Sequence, residues 1–122
     1  MGLKSYFEST KGTGILSTAD SEGNVDAAIY SRPHFLEDKI AFIMRDRLTH
    51  KNLESNPHAV YLFIEDGPGY KGKRIYLTKY KEEKNSQRIA SLRRRTKDSN
   101  PDEDKFLVFF ELTRERPLVG DG

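Results

Sequence analysis

The 122-residue chain contains no cysteine. That absence removes disulfides, thiol nucleophiles and thiolate metal sites, and it fits a reducing compartment. No apolar run approaches the roughly 20 residues that a membrane helix needs. The opening Met1-Gly2-Leu3-Lys4-Ser5-Tyr6 lacks the apolar core of a signal peptide. The expectation is a cytoplasmic protein with no membrane attachment. Apolar residues are also scarce, at 35% of the chain against 33% charged, which is low for a globular domain. So small an apolar share predicts a thin core, or a core completed by a partner subunit. Charge of one sign is not in excess either. The chain has 21 Lys and Arg against 19 Asp and Glu, a net charge of +2. That balance gives no ground for nucleic-acid or membrane binding.

Several chemistries are missing from the motifs. His34, His50 and His58 show no H-x-x-x-H or H-E-x-x-H spacing, and Pro57 would break a helix shared by the last two. No metal site is expected. No Ser/His/Asp set or carboxylate pair marks hydrolytic chemistry, so no catalytic residue is assigned. If the chain is an enzyme, a bound cofactor carries the hard chemistry. Gly67-Pro68-Gly69-Tyr70-Lys71-Gly72 fits G-x-G-x-x-G, but KRIYLT follows and reads as a strand. No helix N-terminus awaits a pyrophosphate, and a wide hairpin turn is the better reading. Arg88 and Arg93 to Arg95, with Lys97, form a basic cluster. It reads either as a nucleic-acid patch or as the solvated C-terminus of a helix. Asp98, Asp102, Glu103 and Asp104 follow at once and offset its field, which favours the second reading.

What the chain does have is a series of short strand patterns. Leu3, Tyr6 and Phe7 recur at helical spacing, predicting a short helix over 3–11. Gly14 to Ala19 and Val25 to Arg32 read as a hairpin around the turn-rich Asp20 to Asn24. Leu36 to Lys39 reads as a second turn. Strands are predicted over 40–44, 59–65, 73–81 and 106–112, and a helix over 85–95 with Ile89 and Leu92 as its apolar stripe. Residues 96–105 are polar. Six strands with few, short helices predict a mainly β fold, a small antiparallel barrel in a single domain over 1–122.

The chain is organised around Ile40 to Pro57, IAFIMRDRLTHKNLESNP. A buried strand, a charged turn at Arg45-Asp46-Arg47 and a helix from Thr49 to Ser55 follow one another. The helix stops at Asn56-Pro57 because proline disfavours helical geometry in the residue before it. Thr49 stands where an N-cap belongs. A helix N-terminus beside two guanidinium groups suits a phosphate. A capped helix with a solvated arginine pair is the plainer alternative.

Taken together these pieces resemble the FMN-binding split-barrel family, which includes pyridoxamine 5'-phosphate oxidase, and most closely its small barrel-only members. The resemblance spans roughly residues 14–80. It is carried by GILSTADSEGNVDAA, by Tyr30-Ser31-Arg32-Pro33, and above all by Thr49-His50-Lys51-Asn52-Leu53-Glu54-Ser55-Asn56-Pro57. It implies a six-stranded Greek-key split β-barrel that forms a homodimer with FMN at the interface. Thr49 and nearby N–H groups would hold the phosphate, with Asn52 supporting the turn. Tyr30, Ser31 and Arg32 would lie along the isoalloxazine ring, and Met44, Arg45 and Asp46 along the ribityl chain. The family commonly has Lys directly before this Thr, whereas here the residue is Leu48, so Arg47 or Arg45 would supply the phosphate charge. The implied function is an FMN-dependent redox protein exchanging electrons or hydride with a small-molecule or protein partner. The alternatives are a non-enzymatic flavin carrier or sensor, a barrel that binds haem or deazaflavin, or a basic interaction module. The tail after Phe106 shows no clamp for a pyridoxal substrate, and pyridoxamine phosphate oxidation is not expected.

Overall fold

Alternating burial places seven strands, one more than expected, in a single antiparallel sheet. The structure is a computed structural model that describes residues 2–92 and 103–120. Helix α1 (Leu3–Ser9) leads into β1 (Gly12–Ala19), β2 (Val25–Ile29), β3 (His34–Leu36) and β4 (Lys39–Arg45). Helix α2 (Leu48–Ser55) precedes β5 (His58–Glu65) and β6 (Gly72–Lys84), and α3 (Gln87–Leu92) precedes β7 (Lys105–Pro117). The extra strand is β3. It has three residues, too few to show an alternation, and it starts straight after Pro33. Glu37 and Asp38 both adopt positive φ, 54° and 59°, which gives the tight β3–β4 turn the twist a two-residue hairpin needs. The returning strand of the first hairpin ends at Ile29 rather than Arg32. The helix expected over 85–95 begins at Gln87, after Asn85 takes a left-handed φ of 51°. Arg93 to Arg95, Lys97 and most of the polar stretch after them lie outside the described residues.

Strand order is β2-β1-β5-β6-β7-β4-β3. Strands β5, β6 and β7 form a meander, and β4 returns beside β7, a Greek-key arrangement. The loop over 67–71 joins the antiparallel hairpin β5–β6 with no helix after it. Strands β2 and β3 are the two edges and share no ladder. The sheet is therefore open where the chain passes from Ile29 to His34, and the barrel is split there.

The thin core is used on two sides of the sheet. Inside, Leu16, Phe42, Met44, Tyr61, Phe63, Ile75, Leu77, Val108 and Phe110 pack with Phe7 of α1 and Leu53 of α2. Outside, Ala41, Leu107 and Phe109 lie under Ile89 of α3. Strand β7 is thus covered on both faces, which explains the unbroken apolar run Phe106 to Phe110.

Candidate functional site

The split in the sheet forms a cleft of about 680 Å³, within the size range of small-molecule sites. Gly12, Thr13 and Gly14 of β1 make one wall, and Phe42, Ile43 and Arg45 of β4 another. The crossing segment supplies Tyr30, Ser31, Arg32 and His34, and Arg47 and Lys105 close the end. Arg32, Arg45, Arg47 and Lys105 bring four cations to the cleft, two of them, Arg45 and Arg47, paired with the Glu103 carboxylate at its end. A larger groove of about 930 Å³ runs past α1, but there Lys4, Lys39 and Lys73 are balanced by Glu37, Asp38 and Glu115. Its charge selects nothing.

Five of the nine expected binding residues line the cleft: Tyr30, Ser31, Arg32, Arg45 and Arg47. Tyr30 is held on three sides. Its N–H donates to the Gly14 carbonyl at 3.0 Å, and its carbonyl accepts from the Tyr61 hydroxyl at 3.0 Å. Its ring meets Phe42 edge-on at 5.9 Å. Burial pushes the Tyr30 phenol pKa up, partly offset by a hydrogen bond from Thr49.

Thr49 is not the N-cap. Helix α2 begins one residue earlier, at Leu48, and Arg47 occupies the cap position in extended geometry with no side-chain cap. Thr49 sits within the first turn, buried, with its hydroxyl on Tyr30. The arginine at the cap position makes no side-chain hydrogen bond to the first turn of α2. Asn52 is also buried, and it donates to the Thr18 hydroxyl at 3.1 Å. It supports the turn from beneath and does not line the cleft. Met44 points the other way, into the core, because alternation on β4 sends Ile43 and Arg45 outward.

The arginine pair is neither bare nor merely solvated. Glu103 bridges it, taking a hydrogen bond from Arg45 at 2.9 Å and two from Arg47 at 3.0 and 3.1 Å. Arg32 is steered by the Phe7 carbonyl, which accepts from its guanidinium at 3.1 Å.

Sequence reasoning missed His50. It is fully buried and stacks on Phe106 at 3.8 Å between ring centres. Its Nδ1 lies 3.2 Å from Asp46 and its Nε2 3.0 Å from Glu82. Asp46 thus serves the start of α2 rather than the cleft. The i,i+4 spacing of Asp46 and His50 was the available signal, while Glu82 comes from a distant strand and gave none. Among the described residues no cluster of three metal-ligating side chains occurs, and no helix is long and apolar enough to cross a membrane.

This fold, a split barrel, is similar to that of solved structures that include two putative pyridoxamine 5'-phosphate oxidases. No protein-family model and no curated protein matches the sequence. Among solved structures, an FMN-binding protein from Syntrophomonas wolfei subsp. wolfei superposes with a TM-score of 0.68 at 19% identity, covering 95% of this chain and 83% of its own. HutZ, the haem storage protein from Vibrio cholerae, gives 0.67 at 18% identity, covering 94% and 91%. An F420 reductase gives 0.69 at 12% identity, covering 85% and 88%. At these identities the likeness concerns the fold.

Proposed function

We propose that the chain binds FMN non-covalently in the cleft at the split, as a homodimer, and serves as a redox protein. One observation carries the reading. Four cations and the rings of Tyr30 and Phe42 converge on a cleft walled by side-chain-free Gly12 and Gly14. A flat aromatic system bearing a phosphate matches that combination. The chain's residues fit the group: Arg45 and Arg47 flank the uncapped first turn of α2, where N–H groups and the helix dipole favour an anion. Tyr30, Ser31 and Phe42 would orient the ring. Arg32, steered by Phe7, would set a positive charge beside it and favour negative charge gained there. The bound flavin would supply the electron or hydride chemistry. A second copy is supported by the edge strand β2, where Val25 is 82% exposed and Ile29 72%. Ile29 also lines the cleft, so a partner covering this edge would help enclose the site.

The deciding experiment is gel filtration of the purified protein after mixing with FMN, read by visible absorbance. Flavin colour eluting with a dimer supports the reading, and a colourless protein peak overturns it. Rapid bleaching by NAD(P)H would then mark an enzyme, and slow bleaching a carrier. A second reading rests on His34, which lines the same cleft and offers an imidazole to haem iron. A sharp haem band that elutes with the protein after mixing with haem, with no flavin retained after mixing with FMN, would support that reading instead.

A further inference from the structure

Glu103 places a carboxylate on the two arginines to which the flavin reading assigns a phosphate. Its two oxygens receive Arg47 Nη2 and Nε as a paired fork, and one of them also receives Arg45 Nη1. That fork is the geometry a guanidinium offers to phosphate. Hydrogen bonds from Arg47 and Arg45 hold the Glu103 carboxyl below its usual range, so the group is an anion at neutral pH.

We propose that Glu103 is a built-in competitor for the anion subsite, an internal carboxylate that a ligand's phosphate must displace. This inference rests on the flavin reading for the place of the phosphate, and it adds how the site selects its ligand. A carboxylate tethered to the same chain acts at high effective concentration. A small free anion, with nothing else to hold it, loses that competition. A phosphate monoester brings up to two charges and three acceptor oxygens. When it is carried on an aromatic body held by Tyr30 and Phe42, it has a second source of binding that the carboxylate lacks. The selected class is therefore a phosphate monoester of a flat aromatic ligand, with inorganic phosphate rejected. A carboxylate that merely positioned the arginines would act in the opposite direction, because removing it would loosen them and weaken binding.

Calorimetric titration of wild type, Glu103→Gln and Glu103→Ala with inorganic phosphate, FMN and riboflavin separates these cases. The glutamine variant keeps the size of the side chain, so its folding is secure even if the alanine variant is damaged. Both should bind inorganic phosphate about tenfold or more tightly than wild type, since a charge-assisted contact is freed. FMN should gain by a similar factor and riboflavin by none. Phosphate affinity that is unchanged or weakened in Glu103→Gln overturns the proposal. The phosphate arm decides this without flavin. A gain for phosphate with no FMN binding in any variant sinks the flavin reading and leaves the competitor standing. Tight FMN binding with no gain for phosphate does the reverse.

Discussion

The Asn52 side chain donates to the Thr18 hydroxyl at 3.1 Å, and both groups are buried. This bond ties α2 to β1 beneath the cleft, so the Asn of the Thr-x-x-Asn pattern is a structural support. Asn52→Ala would leave the Thr18 hydroxyl without this donor and should destabilise the fold by about 1–3 kcal/mol. Urea unfolding measures it. Adding Thr18→Val should recover part of the loss, because replacing both partners removes the stranded polar group. A double variant no more stable than Asn52→Ala would show that the bond matters less than the packing of the amide.

Gly14 is required by close approach. A Cβ there would overlap the Tyr61 hydroxyl, the group that donates to the Tyr30 carbonyl across the split. Gly14→Ala should therefore cost about 1–3 kcal/mol by overpacking and push Tyr61 off Tyr30. Tyr61→Phe removes the hydroxyl and with it part of the overlap, while the ring carbon that bore it and the Tyr30 carbonyl stay close. The double variant should then melt above Gly14→Ala alone, a coupling expected only of residues in contact. Simple additivity of the two melting shifts would refute the account.

Most of the fold could be read from the chain because its strands carry their own pattern. Ile75 and Leu77 alternate with polar neighbours, and β6 buries those two. The run Phe106 to Phe110 signalled two-sided burial but not what covers the outer face, since only six described residues of α3 stand over it. Strand β3 was hidden by its shortness. Phe109 tests the outer layer. It lies under Ile89 and faces the cations of Lys81 and Arg88 at 4.7 and 5.0 Å. Phe109→Ala should cost about 3–5 kcal/mol, as in an inner core. A loss below about 1 kcal/mol, the scale of surface changes, would mean that α3 does not seal that face.

The part of the site that could not be read in advance depends on groups far apart in sequence. Glu82 reaches His50 from β6, and Glu103 reaches Arg47 from just before β7. No local spacing encodes either pair. Burial pushes Glu82 up, but hydrogen bonds from Lys79 and His50 outweigh it and hold the carboxyl below its ordinary value of 4.5. A carboxylate whose pKa is lowered by folding adds stability above the unfolded value and loses it as pH falls through the folded one. Melting temperature should thus decline as pH drops below about 4.5, with Glu37, Glu83 and Glu103 shifted in the same direction. Glu82→Gln should shallow that decline and lower stability at pH 7. An acid limb of wild-type steepness in the variant would remove Glu82 from the explanation.

Arg47 offers the sharpest test of where a phosphate docks. Leu48, directly before Thr49, is 54% exposed and carries no charge. Thr49 has its hydroxyl on Tyr30. The charge left at the head of α2 is therefore guanidinium, from Arg47 and Arg45. Arg47→Ala should weaken FMN binding by about ten- to a hundredfold, the value of one or two charge-assisted hydrogen bonds. Riboflavin has the same ring and no phosphate, so its affinity should stay within about twofold. Thr49→Ala should behave differently. Its hydroxyl supports Tyr30, so both ligands should lose affinity together as the ring wall loosens. Fluorescence quenching titrations of the two flavins against the two variants give four numbers. If Arg47→Ala lowers the affinity for both flavins equally, the arginine shapes the cleft and the phosphate lies elsewhere. If it affects FMN alone while Thr49→Ala affects both, the head of α2 binds the phosphate and Tyr30 the ring.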